Sequence, residues 1–528
     1  MQPSRTIVLI SYAVILLVTV LLYLKAANFD FINLDDDVLL LDNPYVNSGV
    51  TIDNLIWAVT STDKFQYVPV TWFSHMIDFD LYGMKAAGHH VTNIILHLLN
   101  TLLLSLFLYK ATGKHWHSAG VALLFALHPL HVEPVAWIAA RKDLLSTFFC
   151  FITFLLYLNY VKRPVLGRYL LVSGAYILSL AAKPMMMTLP LLLLALDYWP
   201  LQRLTDASGI SRSLLAGNSQ LRRLVYEKVP LLLITAIFAR LAYIAQSKCG
   251  AVASISSVTL TSRVSNAIVN YGTTLFKTFW PEKLAILYPF RYSIPAWEIL
   301  LSALLLVTIT YFAVTKAKAH PYLLAGWFWY IVTFVPVIGL VQIGPSSTYD
   351  KCTYIPLIGF FIMLVWGMPN LLKNCMFRRQ CSIVALTAAF VVMGMFARSW
   401  SYLACWKDSI TLYHEAIRVT GGHYLVFNNL GAALFQKKNY GEALKAYQES
   451  MRAYPGDYVD AYANIGAVYF YTGDYSNALH YYSTALQLQP DFAAARIGVE
   501  ASKKALGRAQ RSNVKQTQTT FPSLDGHM

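Results

Sequence analysis

The chain has 528 residues, 56% of them hydrophobic and 13% charged, with a mean hydropathy of +0.47. A soluble globular protein carries roughly a quarter charged residues, so the composition excludes one and indicates a polytopic membrane protein. The formal net charge of +15 does not indicate nucleic acid, because the basic residues gather in short loops between apolar spans, where charge sets topology.

The opening Met1-Gln2-Pro3-Ser4-Arg5 before the apolar run 7–24 imitates a signal peptide, but the later spans make it an uncleaved signal anchor. Eleven spans are predicted, at 7–25, 89–109, 118–128, 143–161, 168–181, 185–199, 229–246, 297–315, 321–340, 353–369 and 381–398. The stretch 118–128 works only as a helix shielded by its neighbours. The stretch 264–280 has an apolar stripe but too many polar residues to span, and reads as interfacial or re-entrant. With the N-terminus inside, the loops at 110–117, 161–168, 200–228, 316–320 and 371–380 are cytoplasmic, and each carries Lys or Arg. An odd number of crossings then puts the long first loop, 26–88, and the C-terminus in one external compartment. The six cysteines show neither CxxC spacing nor a histidine partner pattern, so neither a metal cluster nor a disulfide framework is indicated.

Beyond the membrane module, 1–400, the sequence repeats. Asn429-Leu430-Gly431, Ala443, Tyr447 and Pro455 recur as Asn464-Ile465-Gly466, Ala478, Tyr482 and Pro490, each offset by 35. This is the tetratricopeptide pattern of a small residue where paired helices touch, an aromatic knob and a helix-ending proline. Tyr413 and Ala416 mark a degenerate half-repeat before it, and 491–507 reads as a capping helix that closes the repeat domain, 401–507. The remainder, 508–528, is rich in Gln, Thr and Ser and is expected to be disordered.

Four groups of residues carry chemistry. Asp35, Asp36 and Asp37 stand about ten residues past the first span. An oriented, partly desolvated carboxylate there suits a general base that takes an acceptor hydroxyl proton. The alternatives are a solvated acidic turn and a calcium-type site of Asp35, Asp36, Asp37 and Asp42. The rest of that loop holds two short apolar segments, 54–59 and 70–82, shaped like interfacial helices that wall a cavity. Second, His128-Pro129-Leu130-His131-Val132-Glu133 falls at the outer end of the third span. Asp36, His128, His131 and Glu133 are the set that would hold a divalent ion. Their spacing fits no standard signature and Pro129 breaks the helix, so a polar rim, or Glu133 orienting an acceptor, is preferred.

Third, Arg141, Lys142, Lys183, Arg291 and Lys351 lie on the outer face, where topology disfavours cations. Beside cavity-edge residues such as Asp350 they suit a phosphate leaving group; headgroup snorkelling is the alternative. Fourth, His89, His90, Asn93 and His97 form a polar face at the start of the second span, turned toward a bundle interior and serving packing.

Together these segments resemble the transmembrane-and-tetratricopeptide-repeat O-mannosyltransferases and their bacterial relatives, of the GT-C class. The matching runs are Phe31-Ile32-Asn33-Leu34-Asp35-Asp36, Gly88-His89-His90-Val91-Thr92-Asn93, His128 to Trp137, Arg141-Lys142-Asp143-Leu144-Leu145-Ser146, Ala182-Lys183-Pro184, Leu196-Asp197-Tyr198-Trp199-Pro200 and Tyr354-Ile355-Pro356-Leu357-Ile358-Gly359. The resemblance implies an all-α fold, a GT-C-like polytopic bundle with a short tetratricopeptide solenoid after it. It implies a polyprenyl- or dolichyl-phosphate sugar donor, most often mannose, and inverting transfer on the external side. The family's acidic pair falls on Asp35 and Asp36, one of them the base; Asp37 receives no role. Where relatives often carry Asp-Arg, this chain has Asp350-Lys351, which keeps the charge and loses bidentate phosphate binding. Two clear repeats are fewer than in eukaryotic relatives and imply a bacterial source, with the site in the periplasm, or in the ER lumen of a eukaryote.

The resulting expectation is transfer of a sugar to Ser/Thr hydroxyls of an exported protein. Arg141, Lys142, Lys183, Lys351 and Arg291 would hold phosphate, and Glu133 would orient acceptor or base. His90, Asn93, His128, His131 and Asp350 would line the cavity, and Asn429 and Asn464 would meet acceptor peptide in the repeat groove. No cofactor is assigned beyond the lipid-linked donor. Two other readings stay open: transfer to an envelope glycan or lipid, and a non-enzymatic membrane-anchored scaffold.

Overall fold

The computed structural model describes residues 3–62, 66–204, 219–250, 258–372, 378–454 and 456–519. Arg212, Lys373, Cys375, Pro455 and the tail past Thr519 therefore lie outside the described residues. The chain is all-α apart from a short ladder in which Tyr288–Pro289 runs antiparallel to Ser346–Thr348. It divides into two compact units, 1–408 and 409–528.

In the first unit, five described helices are long and apolar enough to cross a bilayer: Arg5–Asn28, Ala86–Thr112, Ile138–Lys162, Gln220–Lys248 and Ala296–Thr315. Counting each of two bent pairs as one span raises the number to seven. The shorter apolar helices Leu166–Ala182, Pro184–Tyr198, Pro321–Val337 and Pro356–Met368 account for the other predicted segments. The predicted short span at 118–128 is the first arm of a bent pair, His115–Leu127 and Pro129–Ala136, inclined at 63°. The bend has a local cause. Pro129 offers no N–H to continue the ladder and forces His128 into extended backbone.

The first loop folds rather than wandering. Thr51 caps the helix Ile52–Thr60 by accepting from the Asn54 amide at 3.1 Å, and Pro69 opens the helix Pro69–Tyr82. These cover the two segments expected to be helical. Leu40, Val46, Ala58, Trp72, Met76 and Phe79 form a core under them that includes Ile138 of the bundle. The loop is thereby packed on the bundle beside its buried polar residues, and Thr71 adds a hydrogen bond to the Ala182 carbonyl at 2.8 Å.

Two of the loop cations expected to be topology charges have another job. Arg203 and Lys228 join Tyr157, Asp197 and Glu227 in one network, with Lys228 Nζ 2.9 Å from Asp197 Oδ2 and Arg203 Nη2 3.0 Å from Glu227 Oε2. Asp197 and Lys228 are buried, so each needs the other's charge. The unit also runs past residue 400 to Asp408, because Tyr402, Leu403 and Trp406 are buried in it and the Asp30 amide donates to the Lys407 carbonyl at 3.0 Å.

The second unit is a solenoid of the helices Ser409–Thr420, Tyr424–Gln436, Tyr440–Ala453, Val459–Tyr471, Tyr475–Leu488 and Ala493–Thr519. Each expected glycine meets its expected tyrosine: a Cβ on Gly431 would lie 2.6 Å from the Tyr447 ring, and one on Gly466 3.0 Å from Tyr482. The capping helix does not stop at 507 but continues to Thr519, which corrects the expectation of disorder for 508–519. Lys, Arg, Gln and Ala favour helix even where too little apolar surface exists for a core.

Helices Pro321–Phe334 and Pro356–Leu372 cross where Gly326 and Gly359 face each other, and a Cβ on either would strike the other's backbone carbonyl. Gly359→Ala is expected to cost about 1–3 kcal/mol through overpacking, read as a lower unfolding temperature in detergent. Gly367→Ala serves as control, since its Cβ would find nothing nearer than the Tyr322 hydroxyl at 4.0 Å.

Candidate active site

The acidic loop is anchored by Asp36, which is fully buried. Its Oδ2 accepts the Ile32 amide at 2.9 Å and its Oδ1 the Ala139 amide at 2.8 Å, so one carboxylate ties the loop to the turn before helix Arg141–Lys162. Burial pushes Asp36 up to about 7 against the pull of those two donors, with Asp35 and Asp37 adding to the rise. Asp35 differs. Its side chain is 36% exposed and lies 3.5 Å from Lys142 Nζ. Asp37 turns back on the backbone, accepting the Val38 amide at 2.9 Å.

The first turn of helix Arg141–Lys162 sends three consecutive side chains to three partners. Arg141 Nη2 is 2.5 Å from Asp78 Oδ2, Lys142 reaches Asp35, and Asp143 Oδ1 receives Lys183 Nζ at 2.6 Å. Lys142 feels the charges of Asp35, Lys351, Lys183 and Asp143, which gathers these predicted residues in one place. Lys351 is 3.7 Å from Glu133 Oε1, and its amide donates to Glu133 Oε2 at 3.1 Å.

Several expectations are corrected. Arg141 is fully enclosed and its guanidinium is committed to Asp78, to Asn93 Oδ1 at 2.8 Å and to the His89 carbonyl at 2.8 Å. A phosphate therefore finds no donor on it. Arg291 stays outside the cluster, paired with Glu298 at 2.6 Å on an exposed turn. Asn93 also donates to the Trp137 carbonyl at 3.1 Å, while His90 is buried edge-on to Phe29. Neither lines an open cavity. Glu133 faces Lys351 through both oxygens.

The set Asp36, His128, His131 and Glu133 is not assembled as a metal site, because each aims elsewhere. His128 pairs with the Thr278 carbonyl at 3.0 Å and His131 with that of Phe125 at 2.7 Å. A different triad, His75, Asp78 and His89, brings three donor atoms within 4.8 Å of one another. Burial and then the charge of Arg141 hold His75 well below the ordinary histidine range. Asp78, however, is already neutralised by Arg141 and accepts Thr92 Oγ1 at 2.9 Å. A divalent ion would have to share that buried carboxylate with a guanidinium, so the donor set does not fit a resident metal.

Sequence reasoning missed Lys277. It lies 3.4 Å from Asp350 Oδ1, whose other oxygen accepts the Tyr288 hydroxyl at 2.8 Å, and the Lys277 ammonium sits 3.5 Å over the Tyr288 ring. Burial of the ammonium lowers Lys277 and burial of the carboxyl raises Asp350. A signal existed in the strongly one-sided helix Leu260–Phe279 that carries it. In the repeats, Asn464 Nδ2 donates to Asn428 Oδ1 at 2.9 Å.

Fold and site thus define a multipass membrane protein with a polar cluster of lysine–carboxylate pairs and a tetratricopeptide unit. A tetratricopeptide-repeat family model matches residues 422–491. The human protein O-mannosyl-transferase TMTC3 is 22% identical over 468 residues, 80% of this chain and 49% of its own length. The Caenorhabditis elegans protein O-mannosyl-transferase F38B6.6 is 22% identical over 82% of this chain and 62% of its own. Mouse TMTC1, of the same name class, reaches 32% over 157 residues, 28% of this chain. The chain spans about half the length of the TMTC3 relatives it matches. Over about four fifths of its length the chain is thus similar to proteins named protein O-mannosyl-transferases, with tetratricopeptide repeats matched at 422–491.

Two measurements check this geometry. Removing the charge by Arg141→Gln leaves Asp78 buried without its partner and is expected to cost about 3–5 kcal/mol. An unchanged unfolding temperature with weakened phosphate binding would instead make Arg141 a phosphate ligand. For Asp36 the folded value lies above the ordinary 3.8, so the folded chain holds that proton more tightly than the unfolded chain does. The stabilisation is complete below about pH 4 and is lost as pH rises through about 7. Between about pH 5 and 8 the unfolding temperature should fall more steeply in the wild type than in Asp36→Asn; equal slopes would contradict the assignment.

Proposed function

We propose that the chain is a glycosyltransferase that moves a sugar, mannose from the names of its relatives, from a polyprenyl- or dolichyl-phosphate donor to Ser/Thr hydroxyls of exported proteins. The observation that carries this reading is the inequality of the acidic pair. Asp36 spends both oxygens on backbone amides, whereas Asp35 keeps an accessible carboxylate beside a cluster of lysines.

Asp35 is then the base. It takes the acceptor hydroxyl proton as that oxygen attacks the anomeric carbon, while the bond from that carbon to the donor phosphate oxygen breaks in the same inverting displacement. The lipid phosphate leaves carrying the bonding electron pair, and Lys142, Lys183 and Lys351 answer its charge. Each lysine has a carboxylate partner within 3.7 Å, so the three side chains are held close together before substrate arrives. Asp36 acts through the backbone by fixing where Asp35 points. The site faces the external compartment, periplasmic in a bacterium, and the repeats engage the acceptor polypeptide, with Asn428 and Asn464 together on adjacent repeat helices.

The test is transfer by the full chain in vesicles with polyprenyl-phosphate mannose, read by glycopeptide mass spectrometry. Asp35→Asn is expected to lower the rate by about 10²–10⁴-fold, the range for loss of a general base, with membrane insertion retained. A glycopeptide set in the exported fraction that is identical with and without the chain would sink the reading. Removing 409–519 should reduce transfer to protein more than transfer to a small glycan or lipid; the reverse would favour a non-protein acceptor.

A further inference from the structure

Lys351 is surrounded in a way that its ion pair alone does not explain. Its Nζ lies 3.8 Å from the centroid of the Trp137 indole and 4.6 Å from that of the Tyr349 ring, with Glu133 Oε1 at 3.7 Å. The same indole has Lys142 Nζ at 5.9 Å, so one aromatic side chain serves two of the clustered ammoniums. Trp137 is 1% exposed and is backed by the Trp406 ring at 6.3 Å. Glu133, with no exposure of its own, also fixes the Lys351 backbone through the 3.1 Å amide bond.

Two ring faces and one carboxylate around an alkylammonium hold a cation by quadrupole and charge. Such a hold is not directional in the way a hydrogen bond is. An ammonium seated there can turn toward an incoming anion while keeping part of its aromatic contact. Lysine suits this seat because it is a compact charge on a flexible stem, where the planar fork of arginine would stack instead.

We propose that Trp137, Tyr349 and Glu133 are positioning residues that form a cage for the Lys351 ammonium, keeping it beside the Asp35–Lys142 pair for delivery to the phosphate of the lipid-linked donor. The proposal rests on the reading that this site takes a polyprenyl-phosphate donor. Ordinary core packing makes a different forecast, in which only side-chain volume matters at Trp137 and Tyr349.

The experiment titrates polyprenyl phosphate, the leaving group, against the full chain in detergent and reads binding by thermal shift. Donor KM and kcat are measured in parallel. Trp137→Leu is expected to weaken binding about 5- to 30-fold and to raise donor KM more than it lowers kcat, whereas Trp137→Phe keeps a ring and most of the affinity. Tyr349→Leu and Tyr349→Phe should split in the same sense, and they carry the test if Trp137→Leu does not fold. Glu133→Gln should also raise KM. Binding by the wild type with Leu and Phe variants indistinguishable at both positions would overturn the cage and leave the donor reading standing. No binding of polyprenyl phosphate by the wild type would overturn both.

Discussion

A guanidinium without access to solvent holds the site together. Arg141 joins Asp78 of helix Pro69–Tyr82, Asn93 and the His89 carbonyl of helix Ala86–Thr112, and its own helix Arg141–Lys162. A buried charge is tolerated only when fully paired and hydrogen-bonded, so these three helices have one relative placement that satisfies it. The positions of the next two side chains are then a matter of helical geometry. Successive residues step about 100° around the axis, and with Arg141 fixed inward, Lys142 is aimed at Asp35 and Asp143 at Lys183. A residue with no access to solvent thus decides where the two lysines stand.

The same logic separates the two aspartates. Asp36 closes the loop on the Ala139 amide, just before Arg141. Its neighbour is left facing Lys142. The cluster is assembled from lysine–carboxylate pairs: Lys142 with Asp35, Lys183 with Asp143, Lys277 with Asp350 and Lys351 with Glu133. Pairing limits the mutual repulsion of ammoniums gathered in a low-dielectric place. Under the proposed function, an anionic donor would meet cations that are already gathered.

Much of this architecture is legible in the amino-acid sequence. The repeat announces itself by period, the acidic loop by three carboxylates near a span, and the bend at Pro129 by the missing amide. The membrane cations are not separable in the same way. Arg141 and Lys142 are adjacent, of one sign and at one depth, and only the partner Asp78, 63 residues away in sequence, distinguishes a structural clamp from a site cation. In the repeats a constant offset marks Asn429 and Asn464 as equivalent positions, whereas the contact Asn464 makes, with Asn428, is set by how neighbouring helices pack. Lys277 is hidden because 264–280 reads as interfacial or re-entrant, which does not say that its polar stripe is the buried one.

That stripe shows why periodicity alone gives a helix two faces without saying which is wet. In Leu260–Phe279 the exposed side chains include Leu260, Val264, Phe276 and Phe279, and the buried ones include Arg263, Asn266, Asn270 and Thr274. The polar side chains answer backbone carbonyls of irregular segments: Asn266 donates to Arg291 at 2.8 Å, Asn270 to Ser347 at 2.8 Å and Arg263 to Leu340 at 3.5 Å. In or beside a bilayer such carbonyls have little water to turn to, and a helix with its polar face inward supplies the donors instead. Its last turn then brings Lys277 to Asp350, so the element that satisfies the loops also completes the charge cluster beside Lys351.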